Sequence, residues 1–259
     1  MRVDFHIHTE YLGCADETMT LESIADRCQE LGVDEIAITD HLNQRDEVEL
    51  HRKIKKDIMG LDHDLTIYFG AELNFDGEFG QFAADEKVKE EEGFQFFIGG
   101  IHSAYGTDRK PREILETQHQ HHLETCKNDL VKVLVHPYWF NKSELEEMPW
   151  LTDLSLLPEE WIKELADTAI NTDTAIEINY EAIFGNPSYK ESFKDSYKEY
   201  LTKLRDYGVT FSISTDAHNI DHLNDIIPAH EILEELAIPK AQMWNPEVPD
   251  IRNIKGGKK

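Results

Sequence analysis

Short apolar runs alternate along the chain with longer amphipathic segments. The apolar runs predict seven strands, at residues 3–8, 35–39, 65–73, 94–102, 131–136, 174–179 and 210–215. The amphipathic segments predict helices at about 20–31, 45–59, 111–128, 158–170, 189–207 and 222–236. Strands rich in β-branched residues that alternate with helices are typical of a parallel sheet covered by helices.

Most of the predicted strands end in side chains that commonly bind metal ions. These are His6, His8, Asp40, His41, Glu72, His102, His136, Glu177, Asp216 and His218. In a closed α/β barrel the carboxyl ends of all strands form one rim, so residues distant in sequence meet in one cavity. An open doubly wound sheet, the alternative, would not bring all seven ends together. We therefore expect a seven-stranded α/β barrel with a metal site at its C-terminal rim.

The first strand contains two histidines separated by one residue. Side chains alternate between the two faces of a strand, so His6, His8 and Asp4 are expected on one face. The apolar side chains are expected on the other face: Val3, Phe5 and Ile7. Two imidazoles at this spacing can bind one metal ion, although such a pair alone is more often structural.

The length and composition predict one globular domain. The chain has 259 residues, of which 40% are hydrophobic and 30% charged, and we expect a single domain over 1–259 with a frayed tail at 253–259. No apolar run approaches the ~20 residues that span a bilayer. The chain begins directly in a strand rather than in a signal peptide, so we expect a cytoplasmic protein.

The cysteines and the net charge exclude several classes of function. Cys14, Cys28 and Cys126 have no C-x-x-C spacing, which argues against a disulfide framework or a thiolate zinc site. We interpret Cys14, in the loop after the first strand, as a packed thiol. The formal charge of −26 argues against binding to nucleic acid or to anionic membranes, and leaves a small anionic substrate open.

The number of rim histidines indicates more than one metal ion. Six imidazoles exceed what one catalytic ion uses, because such sites keep room for water beside three or four protein ligands. Mixed nitrogen and oxygen ligands suit manganese, iron or zinc. Adjacent ions acidify a bridging water and hold the oxygens of an in-line displacement, as in phosphate ester hydrolysis.

Seven short motifs occur in a fixed order along the chain. They are Asp4-Phe-His-Ile-His8, Thr39-Asp-His41, Gly70-Ala-Glu-Leu73, Gly100-Ile-His-Ser103, Val135-His-Pro137, Ile176-Glu-Ile-Asn179 and Ser214-Thr-Asp-Ala-His218. The series resembles that of the PHP (polymerase and histidinol phosphatase) family over about residues 1–230. This resemblance implies a distorted seven-stranded TIM-like barrel, three divalent metal ions and phosphoester hydrolysis.

The resemblance also implies a ligand set for each ion. The first would be held by His6, His8, Glu72 and Asp216, the second by Glu72, His102 and His136, and the third by His41, His218 and one loop residue. Counting back from the first helix selects Asp16 for the loop position, whereas counting forward from His8 selects Cys14. We predict Asp16, the harder ligand. The nucleophile is then expected to be a metal-bound hydroxide.

Further residues are predicted around the ligands. Asp4, Asp40 and Glu177 are expected to orient ligands or to position water. Phosphate or substrate contacts are predicted for Arg45, Arg109 and Asn179. The histidines of the fourth amphipathic stretch are predicted to lie on a solvated helix face: His119, His121 and His122.

The leading hypothesis is a metal-dependent phosphomonoesterase that hydrolyses a small phosphorylated metabolite, such as histidinol phosphate or a nucleotide. A PHP-type phosphodiesterase or nuclease is one alternative, and an amidohydrolase-type C–N hydrolase is another, since that class also starts with His-x-His on a barrel strand. A non-catalytic metal-binding PHP module is a third. No motif in the chain identifies the substrate, the metal or the oligomeric state.

Overall fold

The computed structural model describes residues 1–75, 82–102 and 110–254. Seven parallel strands pair with their sequence neighbours. They are β1 (Val3–Ile7), β2 (Glu35–Ile38), β3 (Thr66–Asn74), β4 (Phe96–Gly100), β5 (Val131–Leu134), β6 (Ala175–Asn179) and β7 (Phe211–Ser214). All seven predicted strands are confirmed, each within two residues at either end.

Helices connect the strands. They are α1 (Leu21–Glu30), α2 (Val48–Gly60), α3 (Glu86–Glu92), α4 (Pro111–Cys126), α5 (Lys142–Glu147), α6 (Glu159–Thr172), α7 (Glu191–Tyr207) and α8 (Ile226–Glu235). The six predicted helices correspond to α1, α2, α4, α6, α7 and α8. The short acidic helices α3 and α5 were not predicted. Two helices begin later than predicted because 3-10 turns precede them, Arg45–Glu47 before α2 and Ile220–Asp225 before α8.

The first and last strands meet and nearly close the barrel. The amide of His8 donates to the carbonyl oxygen of Ala217 at 3.2 Å, and the amide of Asp216 donates to that of His6 at 2.9 Å. These bonds lie at the carboxyl ends of β1 and β7. The expectation of a barrel rather than an open sheet is therefore confirmed, and the strand ends share one rim.

One apolar cluster fills the barrel interior. It takes residues from all seven strands: Val3, Phe5, Ala37, Tyr68, Phe96, Ile98, Val133, Ala175 and Ile213. Trp244, from the segment after α8, packs edge-on against Phe5 at 5.4 Å and against Phe96 at 5.2 Å between ring centroids. Its amide donates to the carbonyl of Phe211, at the start of β7. The interior is thus packed at the amino ends of the strands.

The side chains of β1 do not alternate as expected. Val3 and Phe5 pack in the barrel interior, whereas Ile7 packs in the layer between the sheet and the helices. The register of β1 against β2 shifts between Asp4 and Ile7, and such an irregularity changes which face the following residues occupy. The prediction that Val3, Phe5 and Ile7 share a face is therefore wrong at Ile7.

The three histidines of α4 are buried, so the prediction of a solvated face is wrong. His119 lies 2.9 Å from the Tyr138 hydroxyl through Nδ1, and Nε2 of His122 accepts the amide of Tyr138 at 3.1 Å. His121 packs against the Phe75 ring at 4.9 Å. Burial lowers the pKa of all three imidazoles. They form part of the packing between α4 and its neighbours.

The C-terminal segment is folded further than expected. Residues Ile251–Asn253 form a 3-10 turn with Ile251 buried, and the Arg252 guanidinium donates to the carbonyls of Leu61, His63 and Leu65. Asn253, the first residue of the tail that was predicted to fray, belongs to this turn, and 255–259 lie outside the described residues. A single domain over 1–259 stays a prediction. Among the described residues, no helix combines the length and apolarity needed to cross a membrane.

Candidate metal centre

The predicted ligands of the first ion lie together at the rim. Nε2 of His6 is 2.9 Å from Nε2 of His8, and Oδ1 of Asp216 is 3.4 Å and 3.1 Å from these two atoms. Oε2 of Glu72 is 3.3 Å from His6 and 3.5 Å from His8. Strands β1 and β3 and the turn after β7 supply these four side chains, and the contact between β1 and β7 places Asp216 beside the histidines.

Glu72 faces a different histidine group with each of its carboxylate oxygens. Its Oε1 lies 3.2 Å from Nε2 of His136 and 3.4 Å from Nε2 of His102. Its Oε2 lies 2.8 Å from Nδ1 of His41. The predicted set of the second ion is thus also brought together, with Glu72 between the two sets.

The remaining two predicted ligand histidines, His41 and His218, flank the ring of His8. The ring centroids lie 4.6 Å and 4.3 Å from that of His8. Cys14 joins this group, with Sγ 3.9 Å from Nδ1 of His8. One ligating atom from each of the four residues lies within 4.8 Å of the others.

Asp16 does not join them. Its exposed carboxylate accepts hydrogen bonds from the amide and hydroxyl of Thr18. The amide of Asp16 donates to the carbonyl of His218 at 2.9 Å. The carboxylate is thus bonded to Thr18 and is not among the atoms that converge on the group to which Asp16 was predicted to contribute.

The polar atoms of this cluster fit bound cations. Oε2 of Glu72 and Nδ1 of His41 are buried without a hydrogen-bond partner among the described residues, and the 2.8 Å between them lacks hydrogen-bond geometry. Unpaired buried polar atoms are rare because each loses its hydration without compensation. Convergent imidazole nitrogens and carboxylate oxygens are also the ligands preferred by manganese, iron and zinc.

Neighbouring charges keep Glu72 deprotonated, and burial keeps His8 neutral. Burial alone would raise the pKa of Glu72, but His41, His6 and His102 hold it well below its usual range. Burial lowers the pKa of His8 to about 3. A deprotonated carboxylate and a neutral imidazole are the forms that bind metal ions.

Glu177 contacts two ligand residues from below the rim. Its Oε1 accepts from Nδ1 of His6 at 2.8 Å and from the hydroxyl of Ser214 at 2.6 Å. Its Oε2 accepts from the amide of His136 at 2.7 Å. The carboxylate therefore holds the His6 ring and the end of β5 in place.

Asn179 is committed to the wall of the site. Its Nδ2 donates to Glu177 and to Oδ2 of Asp216, each at 3.0 Å, and its Oδ1 accepts from the amide of Ala182 at 2.9 Å. The residue is only 1% exposed. The substrate contact predicted for Asn179 is not what the structure shows, since the side chain orients two carboxylates instead.

Asp40 and Asp4 accept hydrogen bonds from residues next to the proposed ligands. Asp40 accepts from the amide and hydroxyl of Thr9 at 2.8 Å and 2.9 Å. Asp4 accepts from the amide and hydroxyl of Thr215 at 3.1 Å and 2.6 Å. Burial raises the pKa of each carboxyl to about 7, against the opposing effect of these hydrogen bonds. Both groups fix the segments that follow β1 and β7.

A cavity of about 270 Å³ opens onto the ligands. Its lining comprises His41, His102, His136, Trp139, Glu181, Ala182, Asn186, Asp216 and His218. Glu181 was not predicted. It lies on a π-helical turn after β6, Tyr180–Phe184, and its Oε2 is 2.8 Å from Nδ1 of His222. Burial, with Asp216 and Asp225 nearby, raises the pKa of Glu181 to about 8.

Of the two arginines predicted to meet phosphate, Arg45 is not in this lining. Arg45 is exposed and pairs with Asp85 at 2.5 Å. Arg109 lies outside the described residues. Among the described residues, the lining contains no lysine or arginine.

The family model for the PHP domain matches residues 4–181, more than half of the chain. The chain belongs to the PHP domain family. This is a family of metal-dependent phosphoesterases, and the likeness inferred from the seven motifs is therefore confirmed.

Relatives of this PHP domain differ in size and name. The DNA polymerase/3'-5' exonuclease PolX of Bacillus subtilis is 27% identical over 232 residues, which are 86% of this chain and 35% of PolX. The chain thus spans about a third of the length of that relative. A candidate histidinol phosphatase of Listeria monocytogenes, HisK, shares the fold with a TM-score of 0.61 and 16% identity, covering 86% of this chain and 97% of its own.

Proposed function

We propose that the protein is a metal-dependent phosphomonoesterase that acts on a small phosphorylated metabolite at three divalent metal ions. The observation that carries this proposal is the position of Glu72. One of its oxygens faces His102 and His136 and the other faces His6, His8 and His41. A buried carboxylate directed at two imidazole groups is suited to bridge two cations.

The proposed ligands follow the grouping of the side chains. His6, His8, Glu72 and Asp216 hold the first ion, and Glu72, His102 and His136 hold the second. His41 and His218 belong to the third. Manganese, iron and zinc all fit the nitrogen and oxygen ligands of the first two sets.

The protein residues perform binding, orientation and proton transfer around this centre. Bound ions would acidify a coordinated water and withdraw charge from the phosphoryl oxygens. Glu177 and Asn179 hold the ligand side chains in place from below. Trp139 forms one side of the cavity, 5.3 Å from the His136 ring, and provides an apolar surface for the organic part of the substrate.

Glu181 is the residue we assign to proton donation. It lines the same cavity as the ligands, and its Oε2 lies 2.8 Å from Nδ1 of His222. A carboxyl whose pKa is raised to about 8 by burial and by nearby carboxylates is suited to protonate a leaving alkoxide. His222, at the edge of the same wall, is the neighbour that positions it.

The size and charge of the cavity favour a small substrate. A volume of about 270 Å³ is at the lower end for small-molecule pockets and suits histidinol phosphate or a mononucleotide. The net charge of −26 and the absence of basic side chains from the described lining oppose binding of a nucleic acid strand.

A phosphodiesterase is the second candidate. It is favoured by one observation, the 27% identity to a protein named for exonuclease activity. The same clustered ligands could serve a diester, since the ions rather than basic side chains would meet the phosphate.

The two candidates separate in one assay series. Metal-stripped protein is supplied with manganese, iron or zinc and tested on nitrophenyl phosphate, histidinol phosphate, mononucleotides, bis-nitrophenyl phosphate and single-stranded DNA. We expect turnover of monoesters only, lost in Glu72→Gln and kept in the exposed control Glu199→Gln. Turnover of diesters or DNA in preference would favour the second candidate, and no turnover with any metal would overturn both.

A further inference from the structure

The loop after β1 presents Cys14, not Asp16, to the histidines. A 3-10 turn, Glu10–Leu12, ends at Gly13, whose φ of 75° places the chain in the left-handed region. The chain then turns so that the amide of Asp16 donates to the carbonyl of His218 at 2.9 Å. The loop is thereby anchored to the turn after β7 by its backbone, with Cys14 on the side of the rim.

The thiol of Cys14 is surrounded by imidazoles. Its Sγ lies 3.9 Å from Nδ1 of His8, and ligating atoms of His41 and His218 lie within 4.8 Å. Nε2 of His8 is already directed at Asp216 at 3.1 Å, in the first ligand set. The two histidines without a place in the first two sets are therefore the partners left for the sulfur.

The hydrogen bonding of His218 independently points to a bound ion. Its Nδ1 donates to the carbonyl oxygen of Asp216 at 2.8 Å, which fixes the proton on Nδ1 and leaves the lone pair on Nε2 free. A histidine whose second nitrogen donates to a backbone carbonyl is the usual arrangement of a metal ligand. The buried, unpartnered Nδ1 of His41 and Oε2 of Glu72 lie on the inner side of the same group.

We propose that Cys14, His41 and His218 form a thiolate-containing subsite, in which Cys14 takes the position predicted for Asp16. This inference rests on the proposed metal centre and assigns its third ion. A site with one thiolate and two imidazoles selects zinc, or cobalt as its substitute, over manganese, because sulfur is a soft ligand. The first two sets contain only nitrogen and oxygen, so the centre is expected to hold two kinds of ion.

Cobalt titration of the metal-free protein tests the assignment directly, because a thiolate bound to cobalt gives a charge-transfer band in the near ultraviolet. We expect three bound cobalt ions and this band in the unaltered protein. Cys14→Ser should lose the band and one ion, and Cys14→Asp should lose the band but keep three ions. Asp16→Asn, the matched control in the same loop, should keep both.

A second measurement covers the case in which Cys14→Ser does not fold. In the unaltered protein, zinc should slow alkylation of Cys14 by at least about tenfold, because a coordinated thiolate is not free to act as a nucleophile, and manganese should not. Cys28 and Cys126 are each 1% exposed and should react slowly. Peptide mapping confirms that the label is on Cys14.

The outcomes distinguish this proposal from the function on which it rests. Three bound cobalt ions without the band, loss of an ion in Asp16→Asn, or equal protection by zinc and manganese would overturn the role of Cys14 alone. The 3.9 Å contact would then be an ordinary contact between a thiol and an imidazole. A protein that binds no cobalt would overturn the metal centre itself.

Discussion

Nδ1 of His6 donates to Oε1 of Glu177 across 2.8 Å, and both side chains are 1% exposed. This bond fixes the proton of His6 on Nδ1, so the lone pair of Nε2 faces Glu72 and Asp216 at the rim. The orientation of His6, a proposed ligand on β1, is therefore set by a residue of β6, which is distant along the chain.

Glu177→Gln is expected to lower the affinity for the first ion by about 10- to 100-fold, the usual effect of losing a residue that orients a metal ligand. One carboxylate oxygen becomes an NH2 group, which cannot accept from His6 and Ser214 if it replaces Oε1, or from the amide of His136 if it replaces Oε2. Calorimetric titration of stripped protein with zinc measures the change. Glu199→Gln, an exposed substitution on α7, serves as control, and equal affinities in the two variants would contradict the role of Glu177.

Glu181→Gln is expected to act selectively on substrates with poor leaving groups. For alkyl phosphates we expect kcat to fall by about 100-fold, a typical contribution of a general acid. Nitrophenyl phosphate, whose leaving group needs no proton, should be hydrolysed at nearly the original rate. Steady-state kinetics with both substrates make the comparison, with Glu191→Gln at the exposed start of α7 as control. A uniform loss on both substrates would indicate a structural role for Glu181.

Gly100→Ala is expected to destabilise the fold and displace His136. A Cβ at this position would lie 2.5 Å from Cγ2 of Val135 and 3.2 Å from Cε1 of His136. Overpacking of this kind costs about 1–3 kcal/mol in free energy of unfolding. Gly60→Ala, with no atom within 4 Å of the added carbon, is the control and should be neutral or slightly stabilising. Urea unfolding of both variants gives the difference, and equal midpoints would refute the argument.

His122 is expected to make the protein less stable in acid. Burial, with His119, His121 and His136 nearby, holds its pKa well below its usual value in the folded state, while the unfolded chain titrates near about 6.5. Above that pH neither state is protonated. Below it the unfolded state alone takes up the proton, so the free energy of unfolding falls by up to about 1.4 kcal/mol per pH unit.

Urea unfolding between pH 8 and pH 5, in the presence of a chelator, measures this slope. His122→Gln keeps an acceptor for the amide of Tyr138 and should have a shallower dependence below pH 6.5 than the unaltered protein. Parallel curves would show that His122 does not contribute.

The strands and the convergence of the rim histidines were predictable because both depend on local pattern. Each strand is a short apolar run, buried on both faces, and the proposed ligands of the first two ions lie in or close after the carboxyl-terminal part of a strand. The burial of the α4 histidines was not predictable from the polar sequence of that helix. His119 contacts the Tyr138 hydroxyl and Glu164, and His122 accepts the amide of Tyr138, so the partners come from other parts of the chain.

The placements of Cys14, Asp16 and Glu181 were not predictable for a related reason. Counting residues cannot show that Gly13 adopts the left-handed conformation and that Asp16 turns towards Thr18. Likewise, a π-helical turn is wider than an α-helical one, so no helical period places Glu181 in the cavity. In both cases the conformation of the backbone, rather than the residue type, determines where the side chain lies.

The bonds from His8 to Ala217 and from Asp216 to His6 join the two termini of the barrel, and they join them through proposed ligand residues. During synthesis, a chain that has emerged only as far as β6 has His6 and His8 but lacks Asp216 and His218. The first ligand set is therefore complete only after the last strand has been made and has met the first, whereas the second set, Glu72, His102 and His136, comes entirely from chain that precedes β6.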